Sequence, residues 1–393
     1  MILLYAAMTA AALALLAGLL SRSFGPGKTA RKVRALLLVL TGVPAAFPLA
    51  GALLPNGTLG RWFQRWGNVY LGFFIYFFGT LLLLRLILFL KQLWHRRRTG
   101  EAWTPGRKGS AVVLAALLLC TVCVNLLGYR QARNVQVTGY TLPKETLSQE
   151  EPLRLVLLSD LHIGVNSSPE LYRDMVSLVN AQEPDLILIA GDIVTSCFEG
   201  MDDPSAYARV LGTMQAKFGT YVVYGNHDVE EPLLGGFSCV DAERAYRHPE
   251  METFLSDCGW ELLTDEAAEI PELGGLAIVG RRDLSRPGDG VSERETIPAL
   301  LENISPEAPA LLLAHEPAEL SALAGYGIDL CVSGHTHDGQ IFPGNVFCRL
   351  FCPQSYGMRD WNGCVSIVSS GVGFYGPPIR VGTRSEIVVI DLQ

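Results

Sequence analysis

Apolar residues follow two rhythms along the chain. In the first 130 positions they run almost unbroken in four stretches, roughly 1–20, 35–54, 68–90 and 110–128, each near the ~20 residues a helix needs to cross a hydrocarbon core. From about residue 152 the runs are short, end in Asp, His, Asn or Gly, and alternate with amphipathic stretches. The first rhythm predicts membrane helices, and the second predicts buried strands alternating with surface helices.

The expected organisation is therefore a four-helix membrane region over 1–130, a polar linker over 131–151 and an α/β domain over 152–393. Pro44 and Pro48 fall inside the second apolar run, and Arg85 inside the third. Strands are predicted at Leu153–Ser159, Asp185–Ala190, Thr220–Tyr224, Leu276–Gly280, Ala310–Ala314, Leu330–Ser333, Val365–Ser369 and Glu386–Ile390. Helices are predicted at Pro169–Gln182, with Ser168 as N-cap and Pro169 at the first helical position, and at Pro204–Ala216.

Charge separates the same two regions. Residues 1–130 carry 15 Lys and Arg against one acid, Glu101, whereas residues 131–393 carry 16 against 38 acids. The first loop holds Arg22, Lys28, Arg31, Lys32 and Arg34. The third holds Lys91, Arg96, Arg97, Arg98, Arg107 and Lys108, and the second only Arg61 and Arg65. The positive-inside rule puts loops one and three in the cytoplasm, which leaves the acidic domain extracytoplasmic after four crossings. The expected location is the cell membrane, multi-pass. An acidic domain also argues against a nucleic-acid partner, which calls for a basic face.

The chemistry sits where the predicted strands end. Ser159-Asp160-Leu161-His162, Gly191-Asp192, Gly225-Asn226-His227-Asp228, Ala314-His315-Glu316 and Gly334-His335-Thr336-His337 each follow a strand, and strand carboxyl ends are where sites form in open α/β sheets. Five of the chain's 7 histidines lie in these motifs. Imidazole and carboxylate without thiolate suit Mn, Fe, Zn or Ni rather than a structural zinc cage or a calcium site.

The ordered set D-x-H, G-D, G-N-H-D, H and G-H-T-H resembles the signature of calcineurin-like metallophosphoesterases, over about residues 150–393. The phrases LLAHEP, SGHTHDGQI and GPPIR look similar to a membrane-associated bacterial branch of phosphodiesterases that includes enzymes acting on lipid-linked substrates. The resemblance implies a four-layer αββα sandwich behind the membrane helices, with two divalent metal ions. It assigns Asp160, His162 and His337 to the first metal, Asp192 to both, and Asn226, His315 and His335 to the second. It makes His227 the group that contacts the phosphate and protonates the leaving oxygen, with Asp228 expected to orient its ring. The implied reaction is attack of metal-activated hydroxide on a phosphate ester, a diester by branch. Two departures stand out: Asp338 where the branch has Gly, and Arg281-Arg282 where it more often has an acid. Arg281, Arg282 and Arg380 are candidate substrate-phosphate contacts.

The expected partners are the lipid bilayer and a phosphate-ester substrate; the anchor favours a lipid-linked one by raising its effective concentration at the membrane, and cell-wall polymer phosphodiesters and extracellular nucleotides are the alternatives. A rival reading is a membrane sensor or binding protein with a catalytically weak phosphoesterase-like domain. Of the 9 cysteines, Cys120 and Cys123 lie in an apolar run as packing residues. Cys348 and Cys352 are a candidate pair in an extracytoplasmic domain.

Overall fold

The computed structural model describes all residues except 102, 104, 239–244, 287, 290 and 292. Its contacts divide into two units. The first contains helices α1 (Ile2–Ser23), α2 (Lys28–Gly42), α3 (Phe47–Leu53), α4 (Thr58–Thr99) and most of α5 (Arg107–Gln131). Pro44 interrupts the second apolar run as expected of a residue without an N–H; a short 3₁₀ turn, Pro44–Ala46, separates α2 from α3. Counting α2–α3 as one span, four helical segments among the described residues are long and apolar enough to cross a membrane. The third is 42 residues long, far beyond the apolar run that announced it. Its polar last turns stay helical until Gly100 closes the helix at φ +77°. Arg85 donates to the Leu15 carbonyl at 2.6 Å instead of extending to a surface.

The second unit holds two six-stranded sheets. Its chain begins with β1 (Val135–Leu142), inside the stretch expected to be a linker. That stretch is polar because β1 is an edge strand with alternate residues exposed, parallel to β14 (Ser385–Leu392) along its whole length. β2 (Leu153–Leu158), α6 (Pro169–Asn180), β3 (Leu186–Ala190), α7 (Pro204–Leu211) and β4 (Thr220–Val223) follow as two parallel crossovers. The hairpin of β5 (Leu233–Leu234) and β6 (Phe237–Ser238) groups with the first unit, as do Gly376–Pro378. After α8 (Met251–Asp257) and β7 (Glu261–Leu262), the second sheet is laid down. It comprises β8 (Glu266–Ile270), β9 (Leu276–Arg281), β10 (Ala310–Ala314), β11 (Leu330–Ser333), β12 (Gly357–Trp361) and β13 (Cys364–Val368). α9 (Ile297–Leu300) precedes β10, and α10 (Gly344–Phe351) precedes β12. The strand orders are β1-β14-β2-β3-β4-β7 and β12-β13-β11-β10-β9-β8.

The strand period of two sets the layers. Leu155, Leu157, Leu186 and Leu188 of the first sheet meet Ile278, Leu311, Leu313 and Val332 of the second in one buried cluster. The alternate residues Val156, Leu158, Ile187 and Ile189 face out against α6, α7 and α8. Val279, Ala310 and Leu312 face out from the second sheet against Ile297 of α9, Leu320 and Leu323. The result is the four-layer αββα sandwich. Continuous apolar strands read this way because both faces are covered.

Candidate metal centre

β2, β3 and β4 are parallel in one sheet, and β10 and β11 are parallel in the other. Their carboxyl ends carry all five motifs. Just after β2, β3 and β11 the backbone turns sharply: Asp160, His162, Asp192, His335 and His337 have φ between +48° and +72°, a region that residues with a Cβ seldom occupy and that clusters at functional sites. Two glycines permit the close passage. A Cβ on Gly225 would lie 2.3 Å from Asp192 Oδ1, and one on Gly334 would lie 2.4 Å from Asp160 Oδ2.

The seven expected metal-ligating residues converge. His162 Nε2 and His337 Nε2 are 2.9 Å apart, and His337 Nε2 is 3.3 Å from Asp160 Oδ1. Asp192 Oδ2 lies 3.6 Å from His162 Nε2 and 3.2 Å from His315 Nε2. Asn226 Oδ1 is 2.9 Å from His315 Nε2 and 3.0 Å from His335 Nδ1. Asp160, His162 and His337 form one group able to hold a cation, and Asp160, Asp192 and His315 form another.

The electrostatics fit that use. Burial pulls His162 down to about 3 and His335 to about 4. Burial, His162 and Arg380 hold His337 well below the ordinary imidazole value. These rings are neutral at pH 7 and offer lone pairs, the form that ligates metal. Burial also pulls His315 down, but the adjacent Asp192 carboxylate reverses this and holds it well above its ordinary value. Conversely, burial pushes Asp192 up, and the fields of His315 and His227 outweigh it, so Asp192 stays ionised. Burial pushes Asp160 up to about 6. A buried carboxylate and imidazole donor set of this kind fits divalent cations.

Surrounding hydrogen bonds orient these groups. His315 Nδ1 donates to the Ala190 carbonyl at 2.8 Å, aiming Nε2 at Asp192. The His227 backbone N–H donates to Asp192 Oδ1 at 2.7 Å. Arg380, expected as a substrate contact, is 1% exposed. It donates to the carbonyls of Ser370, Gly373 and Arg384 and lies 3.2 Å from His337 Nδ1. It braces the loop behind a histidine, with no donor open to substrate. Arg281 is paired with Glu319 at 3.3 Å, and Arg282 with Asp265 and Asp289. Asp338, the residue in place of Gly, takes φ +48° and receives a bidentate contact from Arg349 at 3.1 and 2.7 Å. Cys348 and Cys352 are both thiols.

The group holding the His227 ring differs from the one expected. Asp228 accepts from the N–H groups of Val194 at 2.9 Å and Gly225 at 2.8 Å, which spends its carboxylate on the turn. His227 Nδ1 instead lies 2.8 Å from Ser196 Oγ. Ser196 donates to Glu231 Oε1 at 2.6 Å, and Arg286 pairs with the same oxygen at 2.6 Å. The Tyr375 ring stacks on His227 with centroids 4.1 Å apart. Tyr375 is pinned through its backbone N–H and C=O by the Gln340 side chain, at 2.8 and 2.9 Å. None of Ser196, Glu231, Arg286, Gln340 and Tyr375 stands out in sequence. The available signal was two acids, Glu230 and Glu231, following the G-N-H-D motif where solvent-exposed residues would be unremarkable; both are buried.

The geometry is that of a phosphoesterase rim, and comparison with known proteins agrees. Residues 153–339 match the calcineurin-like phosphoesterase family. The chain is 31% identical over 338 residues to the transmembrane protein with metallophosphoesterase domain of Danio rerio, covering 83% of this chain and 71% of that one. It is 31% identical over 291 residues to the Bos taurus protein of the same name, covering 73% and 62%. It is 30% identical over 249 residues to an uncharacterized metallophosphoesterase of Helicobacter pylori, covering 62% and 60%. The chain belongs to the calcineurin-like phosphoesterase family and is a metal-dependent phosphoester hydrolase. Its membrane-length helices and its similarity to transmembrane relatives associate it with a membrane.

Proposed function

We propose that the chain is a multi-pass membrane phosphodiesterase, with residues 1–130 as anchor and residues 152–393 as an extracytoplasmic catalytic domain acting on a lipid-linked phosphoester. The observation that carries the catalytic reading is the convergence of Asp160, His162, Asp192, Asn226, His315, His335 and His337 from five strand ends. In this reading Asp160, His162 and His337 hold one divalent cation, Asn226, His315 and His335 a second, and Asp192 both. Such a pair neutralises phosphate oxygens and lowers the pKa of a water toward ~7.

The remaining roles belong to the chain. Asn226 is a neutral donor, so it does not add to the repulsion of an anionic substrate. His227 holds the proton that the departing alkoxide needs. The Ser196–Glu231 hydrogen bonds and the stacked Tyr375 ring fix the direction in which His227 presents it. The basic loops one and three support the outward orientation of the domain.

The test is hydrolysis of bis-p-nitrophenyl phosphate and p-nitrophenyl phosphate by the full chain, chelated and then resupplied with Mn²⁺, beside Asp192→Ala. Metal-dependent turnover favouring the diester and lost in the variant is the expected result. Turnover of neither ester with any divalent metal would overturn the catalytic reading. A reporter fused after Gln393 tests the orientation, with a cytoplasmic signal counting against it.

A further inference from the structure

Helix α10 leaves the metal centre and exposes its apolar side. It starts seven residues beyond His337, and Arg349, off the apolar side, is held by the Asp338 carboxylate. Phe342 before it and Val346, Phe347, Leu350 and Phe351 within it are 45–79% exposed. The four helix positions are spaced i, i+1, i+4 and i+5, which is one face of an α-helix. The Phe347 and Phe351 rings lie parallel along that face, 6.4 Å apart. A contiguous patch of large apolar side chains on a polar domain marks an interaction surface.

We propose that this face enters the surface of the bilayer that anchors the chain. Two observations select lipid over another protein. First, α5 ends at Gln131 and β1 begins at Val135, so residues 132–134, about 10 Å of chain, are all that separates the last membrane-length helix from the first strand. A domain tethered so closely stays at the membrane surface. Second, the charge is placed for it. Residues 131–393 hold 38 acids, yet none occurs between Asp338 and Asp360, where Arg349 and Arg359 are the charged residues. The stretch around α10 is the part of an acidic domain that a lipid headgroup layer does not repel, and an amphipathic helix with aromatic anchors is the element that lies in that layer. The consequence is positional: α10 holds the His337 side of the metal centre at headgroup depth, where the phosphate of a membrane lipid lies. This rests on the membrane phosphoesterase reading.

The experiment uses the full chain in nanodiscs of phosphatidylethanolamine and phosphatidylglycerol, with p-benzoylphenylalanine in place of Phe351 or, separately, Phe347. After irradiation, peptides spanning α10 are expected to carry the mass of a phospholipid. The same photoprobe at Tyr326, an exposed residue outside the patch, is expected to carry none. Cross-links from α10 to residues 1–129 or to a second copy, no lipid adduct at all, or equal lipid labelling at Tyr326 would overturn the proposal. As a second readout, Phe347→Asp/Phe351→Asp is expected to keep turnover of bis-p-nitrophenyl phosphate while turnover of a diester lipid in the same nanodisc drops roughly tenfold. Equal rates of the variant and the parent on the lipid would also overturn it. Failure of the parent chain to hydrolyse the soluble ester would instead count against the catalytic reading, and the photolabelling does not depend on that.

Discussion

The helices α1–α5 and the strands β2, β3 and β10 draw on the same apolar residues and put them to opposite uses. In the most apolar stretches of the membrane-length helices, only 17–22% of residues are buried within the protein; the other side chains are partly or fully exposed, the arrangement expected of a surface that lipid would cover. In β3 and β10 every residue is buried, and in β2 all but Arg154. Run length is what separates the two cases. A run of twenty apolar residues can satisfy its backbone only as a helix when no water is present. A run of five or six can be buried on both faces by a sheet with covered sides. The rim where the short runs end is where apolar burial gives way to charge, and most polar groups there are buried and hydrogen-bonded.

That contrast can be broken most sharply at the rim. Asp192→Ala should lower kcat by roughly 10³-fold, equivalent to several kcal/mol of transition-state stabilisation, while full-length protein still inserts in membranes; steady-state assay of the purified variant checks this. Next is the sheet core. Leu188→Ala, which opens a cavity between two sheets that close on it completely, should cost about 3 kcal/mol, read as a shift in the denaturation midpoint of the phosphoesterase unit.

Smaller, and aimed at what holds His227, is Glu231→Gln. It keeps an acceptor for Ser196 and removes the charge. The expected loss is roughly 10- to 100-fold on an alkyl phosphodiester, whose leaving group needs a proton, and much less on a nitrophenyl diester, whose leaving group does not. Equal losses on both substrates would make Glu231 a purely structural residue, and Glu231→Asp should restore part of the difference. The smallest effect belongs to the exposed face of α4. Leu86→Ala in α4, half exposed, should change stability by no more than about 0.5 kcal/mol. A cost matching that of Leu188→Ala would mean that this face of α4 is packed against protein.

Much of the site was legible because motif chemistry and strand ends coincide in sequence. Each of the five motifs directly follows an apolar run, so strand assignment alone placed Asp160, Asp192, Asn226, His315 and His335 on one rim. Residues that act by reaching across the fold were not legible. Ser196 and Glu231 are 35 positions apart, and Gln340 and Tyr375 are also 35 apart; neither pair carries a pattern until the sheets bring its partners together. Arg380 shows the opposite error. Its charge suggested an anion contact, but burial commits it to carbonyls. Asp228 is equally hard to read from sequence, since its carboxylate meets the backbone N–H groups of Val194 and Gly225.

The sequence by itself determined which segments are long and apolar enough to cross a membrane, which form covered strands, and which ionisable residues stand at strand ends, because run length, period and strand termination are local properties of the chain. Tertiary structure alone decided which nitrogen faces which carboxylate, which acid steadies His227, that a polar stretch is an edge strand, and that the apolar face of α10 is exposed among the described residues. These depend on contacts between residues distant in the chain, and only the packing of two sheets fixes them.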